Sequence, residues 1–241
     1  LEKIKVENLN LKFDIQKNKY SLMNIKGDVN EIKLLSPLIE INQKKKELLI
    51  VGKIITNLEE FDGDQISNLT ANFFENLNIN KVKFSSENNF SFNLNKKLKI
   101  SDLNIQSNVN LDQLFIKNNF INLKSYLPNI GELINFENHK IKINYNKDNL
   151  DIKGKGKILV KDKSDSINYE VKKNNNKFIF NTKTNFKNNK LLIEFLDYEK
   201  KENVDASIVI KGNFKKDSPI NFKLISLIEK ENRMLFKNFN L

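Results

Sequence analysis

Residues 152–160, Ile-Lys-Gly-Lys-Gly-Lys-Ile-Leu-Val, set two glycines one residue apart among lysines, a composition that could wrap a phosphate. A phosphate loop needs a strand, a glycine-rich turn and then a helix whose N-terminus faces the anion. Gly156 leads instead into Lys157-Ile158-Leu159-Val160, further strand, with no Gly-Lys-Ser/Thr. Gly154 and Gly156 share the parity of Ile152 and Ile158, so they lie on the apolar face of a strand. A side chain missing there lets another backbone or a ligand approach and lets the strand bend. Asp62 and Asp64, in Glu-Glu-Phe-Asp-Gly-Asp-Gln, resemble the start of a calcium loop. The glycine is misplaced, however, and the next ligand positions hold Ile66 and Asn68. The better reading is a polar turn leading into a helix cap. His139 is the only histidine; it reads as a loop or strand-edge residue, and no Ser/His/Asp set assembles around it. Without cysteine there is no disulfide, thiolate metal site or thiol nucleophile. These residues predict no enzyme, no cofactor and no metal.

The formal net charge is +11, which invites a nucleic-acid partner. Of the 41 basic residues only Arg233 is arginine, whereas base reading and phosphate clamping favour the bidentate arginine fork. The lysines are dispersed and asparagine and isoleucine abundant, as in a protein of an AT-rich genome. Solvated surface and no nucleic acid is the expectation, with a residual attraction to anionic lipid headgroups.

Around these residues the dominant signal is strict alternation of apolar and polar positions, the mark of strands with one apolar face. It runs through Leu9, Leu11, Phe13 and Ile15; Phe90, Phe92 and Leu94; Ile141, Ile143 and Tyr145; Phe178 and Phe180; Val204, Ala206, Ile208 and Ile210; and Ile220, Phe222 and Leu224. Asn/Lys-rich turns separate the runs, predicting a long antiparallel meander. Two segments break the pattern. Ile66, Leu69, Phe73 and Leu77 predict a short helix over 64–77, and Leu123, Leu127, Ile130 and Ile134 predict a turn or two interrupted by Pro128 and Gly131. No linker divides residues 1–241, which read as one segment. The chain begins at Leu1 without methionine and ends in mid-pattern, reading as part of a longer protein. No run approaches the roughly 20 apolar residues of a membrane-spanning helix.

Five of the seven glycines sit in one local pattern of apolar, any, Gly, any, apolar. The copies are Ile25–Val29, Ile50–Ile54, the extended Ile152–Ile158 and Ile210–Phe214, with a serine version at Ile105–Val109. The later copies recur at about fifty-residue intervals, pointing to a sheet of similar units.

A glycine-punctuated meander with one apolar face resembles the AsmA-like proteins, most suggestively at 136–160 and 206–241. That resemblance implies an all-β, long, curved, mostly antiparallel meander forming a U-shaped open groove, with one or two short helices. It also implies a periplasmic envelope protein, anchored in the inner membrane through a segment outside this one and conducting phospholipid towards the outer membrane. Physical reasoning leads to the same site, since an apolar inner face left without a second protein layer can be filled by phospholipid acyl chains. The candidate lining is Ile25, Val29, Ile50, Ile54, Phe90, Phe92, Ile105, Val109, Ile152, Ile158, Phe178, Phe180, Ile210, Phe214 and Phe222. The same alternation also builds a closed β-sandwich, in which these residues form a packed core and bind nothing.

Overall fold

A computed structural model describes residues 5–69, 78–117, 123–147, 149–215 and 218–240. Alternation becomes strands β1 (Val6–Gln16), β2 (Lys19–Val29), β3 (Ile32–Gln43), β4 (Glu47–Asp62), β5 (Ile79–Asn95), β6 (Ile100–Lys117), β7 (Leu133–Asn146), β8 (Asn149–Val160), β9 (Lys163–Asn174) and β10 (Lys177–Phe186). A small hairpin, β11 (Leu191–Ile193) and β12 (Tyr198–Lys200), precedes β13 (Ala206–Lys215), β14 (Asn221–Glu229), β15 (Asn232–Phe236) and β16 (Phe239–Asn240). Every described pairing is antiparallel between neighbours, and the main sheet has 14 strands in the order β1 to β10, then β13, β14 and β15, with β16 beside β14. β1 and β15 form its two edges and do not meet, so the sheet is an open trough and not a barrel.

The turns explain why the meander closes so tightly. Asn30 and Glu31, between β2 and β3, both have positive φ (47° and 69°), the signature of a two-residue type I′ hairpin. Asn18, Lys147, Lys161, Asn175 and Lys230 carry positive φ at other hairpins; asparagine tolerates that region best. Inside strands, Asn8, Asn24, Asp102 and Asn138 also have positive φ, each at or beside a register shift. Such bulges bend and twist a strand. The register shifts at Asn57–Leu58 in β4, Asp112 in β6 and Asn138 in β7 fall near one line across the sheet, which curls one rim of the trough.

At that rim the longer connections fold inward. Helix α1 (Gly63–Leu69) follows β4; the part of the predicted 64–77 helix beyond Leu69 lies outside the described residues. Its start is a reciprocal cap. The Gln65 N–H donates to Asp62 Oδ1 (2.9 Å) and the Asp62 N–H to Gln65 Oε1 (3.1 Å), so the acidic pair builds a capping box. Ile66 packs on Phe61 and Val82. Helix α2 is a single turn, Leu123–Tyr126. The predicted helical spacing fails at Ile134, which belongs to β7 and is buried at the rim against Ile130 and Val160. The excursion between β10 and β13 lays Leu191, Ile193 and Tyr198 over Phe186, Ala206, Ile208 and Leu227. Leu127 joins both of these clusters.

Three of the expected strand assignments change. Val204 and Ile220 lie outside strands, and a register shift beside Gly212 places Leu224 opposite Lys211, on the other face from Phe222. The outer face is polar through the middle of the sheet. Towards its ends it carries Leu38 and Val51, and Ile228 and Leu235, all exposed. The run Leu48–Val51 is therefore split between the two faces.

Candidate functional site

Cross-strand partners share a face, so the register fixes where each candidate residue stands. One row crosses the inner face as Gly52, Phe90, Ile105, Tyr145, Leu150, Lys173, Phe178 and Phe214. The next runs Ile54, Asn88, Ser107, Ile143, Ile152, Val171, Phe180, Gly212 and Phe222. Val109 and Ile210 stand in a third row with Ile141, Gly154 and Tyr169. Ile158 faces Phe136, Ile50 faces Phe92, and Ile25 and Val29 face Ser36 and Ile32. Every predicted lining residue is on the inner face, and each is half-buried: none is fully covered and none stands free. The rings support one another, Phe178 stacking on Phe214 (4.8 Å between centroids) and Phe180 meeting Phe222 edge-on (6.0 Å).

Apart from the β11–β12 hairpin and the rim connections, no layer packs over this face among the described residues. The sandwich alternative is overturned, because no second sheet faces the first. The exposed surface agrees: 16218 Å², against about 11,000 Å² for a compact chain of this mass.

The glycines do something other than widen the trough. None has a positive φ, so space and not backbone conformation selects them. A Cβ at Gly52 would lie 2.7 Å from Phe90 Cζ, and one at Gly212 2.5 Å from Phe180 Cζ. At Gly154 it would enter the Tyr169 ring, and at Gly156 the His139 imidazole. Gly52, Gly154, Gly156 and Gly212 are each roofed by an aromatic ring from the adjacent strand, a packing that recovers apolar contact where glycine has none; Gly27 meets Leu9 instead.

His139 accordingly departs from its expected place. It is in mid-strand at a bulge, 2 % exposed on the inner face. Its Nε2 lies 2.9 Å from the Lys157 carbonyl and its Nδ1 3.3 Å from the Tyr169 hydroxyl. With the proton on Nε2, that nitrogen donates to Lys157 O and Nδ1 accepts from Tyr169. Burial pushes the His139 pKa down and the Tyr169 phenol up to about 12. The depressed histidine contributes stability that is complete above its unfolded value of about 6.5 and is lost as pH falls through the folded value. Thermal unfolding is expected to fall more steeply below about pH 6.5 in the wild type than in His139→Gln. Parallel slopes would remove the histidine from the account.

Sequence reasoning missed a polar knot at the curled rim. Asp165, 3 % exposed, accepts from the backbone N–H groups of Lys187 (2.8 Å) and Asn188 (2.9 Å) and from Asn189 Nδ2 (2.8 Å). Lys200, fully buried, donates to the carbonyls of Lys187 (2.8 Å) and Asn189 (2.6 Å) over the Phe186 ring. Burial lowers the Lys200 pKa. The available signal was parity, since Asp165 alternates with Ile167, Tyr169 and Val171. Among the described residues no group of acidic, histidine or cysteine side chains is arranged to hold a metal.

These features define an open-sheet protein with a half-covered apolar trough, capped along one rim. No family model, curated protein or solved structure matches the chain. No described helix is long and apolar enough to cross a membrane.

Proposed function

We propose that the inner face holds phospholipid acyl chains and that the chain is a lipid-conducting segment of a periplasmic envelope protein. The observation carrying this reading is the inner face itself, predominantly apolar from β1 to β15 and half-exposed at every predicted lining residue. Strands spaced about 4.8 Å apart give the trough an arc of about 60 Å, longer than an extended acyl chain. Each methylene taken from water into it contributes about 0.8 kcal/mol. Rows of similar residues offer many weak sites in place of one tight site, which suits sliding. Lys173 stands on this face between Leu150 and Phe178, its ammonium 5.8 Å from the Phe178 ring centroid. It lies towards the rim opposite the caps, where a headgroup phosphate would sit with its tails beneath the aromatic rows.

The test is purification from a bacterial host without detergent, followed by mass spectrometry of bound lipid. Wild type is expected to carry phospholipid. Ile152→Asp and Ile210→Asp should lose it while keeping the β-sheet circular dichroism, because a carboxylate on a half-exposed position repels acyl chains without entering a sealed core. Asn181→Asp, exposed on the outer face, should keep its lipid. A folded wild type free of lipid would sink the reading.

A further inference from the structure

The outer face carries a different kind of site, independent of the lipid reading. Across β7 and β8, Lys140 stands directly opposite Lys155, and Lys142 directly opposite Lys153. Like charges in that position destabilise a sheet. Lys153 is balanced by Glu170 (3.3 Å) and Asp151 (3.9 Å). Among the described residues Lys140, Lys142 and Lys155 have no ion-pair partner.

Several other lysines of the sheet are matched. Lys53 pairs with Glu87 (2.7 Å), Lys83 with Asp112 (3.0 Å) and Lys172 with Glu170 (2.9 Å). Around the unmatched lysines the cross-strand neighbours are instead neutral amides: Asn108 opposite Lys142, Asn110 opposite Lys140, and Asn168 opposite Lys155. Together these side chains line a hollow of about 490 Å³, within the range of small-ligand sites.

We propose that this hollow binds a phosphate-bearing anion of more than one negative charge. Directly opposed Cβ atoms lie about 5 Å apart, so flexible lysine stems from both strands can bring their ammonium groups to one diphosphate. The three asparagines add neutral N–H donors, the carboxylates at the hollow's edge, Asp151 and Glu170, are engaged by Lys153, and the anion relieves the cross-strand repulsion. The shared chemistry is the phosphate oxygen, whether of a soluble phosphate ester or of an anionic lipid headgroup.

The test titrates the purified chain calorimetrically with inorganic pyrophosphate at low ionic strength. In parallel, it is sedimented with phosphatidylcholine vesicles with and without cardiolipin, whose headgroup carries two phosphates. The variant is the double substitution Lys142→Glu and Lys155→Glu. Its new carboxylates face Lys153 and Lys140, so it should melt no lower than wild type while binding at least about tenfold more weakly. Lys12→Glu, on the outer side of the distant strand β1, should bind as wild type does. Pyrophosphate binding lost in the double variant would place the source in solution, and binding only to cardiolipin vesicles, lost likewise, would place it in a headgroup; both support the site. Binding of neither probe, or equal binding by the folded double variant, overturns it. Lipid retention by the inner face is scored separately, so either proposal can fail alone.

Discussion

Replacing Asp165 with alanine is expected to cost about 3–5 kcal/mol, lowering the melting temperature by about 10 °C. The carboxylate is the acceptor for two backbone N–H groups and the Asn189 amide. It is also the largest contributor among the negative charges, with Glu229, Asp205 and Glu202, that offset burial of the Lys200 ammonium. Alanine leaves three donors without an acceptor and an ammonium without its main counter-charge, in a place water does not reach. Lys200→Met keeps the carboxylate and its three donors and leaves two carbonyls short of a partner, so roughly half the loss is expected. The effect should also be local in hydrogen exchange, with the amides of 187–189 losing protection before those of β5 and β6. A variant that melts as wild type does would mean that Asp165 does not hold the β10–β13 excursion to the sheet.

Gly156→Ala should be the most damaging of the glycine-to-alanine changes on the inner face. The added methyl would collide with the imidazole of His139, which is buried and held by its bond to Lys157 O, so the ring cannot swing aside cheaply. Overpacking of about 1–3 kcal/mol joins the lost hydrogen bond of about 1 kcal/mol, against a gain of about 0.4–1 kcal/mol from a stiffer unfolded chain. The net expectation is about 2 kcal/mol, or about 6 °C in melting temperature. Gly27 is the internal control. A methyl there would lie 3.3 Å from Leu9 Cδ1, beside the edge strand β1, where an exposed side chain can move. Thermal denaturation of the two variants separates the explanations. Equal losses at 27 and 156 would mean that the glycines serve the bending of the strands, whereas a loss confined to 156 marks ring-over-glycine packing.

The inner face was legible because the period of two is a local property. Parity placed Gly27, Gly52, Gly154, Gly156 and Gly212 with their apolar neighbours, and the register keeps them there. The repeat was legible too, and its unit is the hairpin. Gly27, Gly52, Ser107 and Gly154 occupy β2, β4, β6 and β8, alternate strands running the same way. Gly212 falls out of phase because β13 stands three strands, not two, beyond β8 in the sheet and so runs against that direction. At Leu224 local parity misled, since a bulge inserts one residue and exchanges the faces beyond it.

Composition and alternation by themselves determined an all-β antiparallel meander, its apolar face and the short turns that join it. Those depend on contacts between near neighbours in sequence, which a one-dimensional pattern can carry. Only the tertiary structure decided that the sheet stays open, because closure depends on whether β1 meets β15, residues more than two hundred positions apart. The same holds for the rings above Gly52, Gly154, Gly156 and Gly212, the burial of His139 and Asp165, and the opposed lysines of β7 and β8. Each requires side chains from different strands at one register, and register is set by turns and bulges that hydrophobic alternation does not encode.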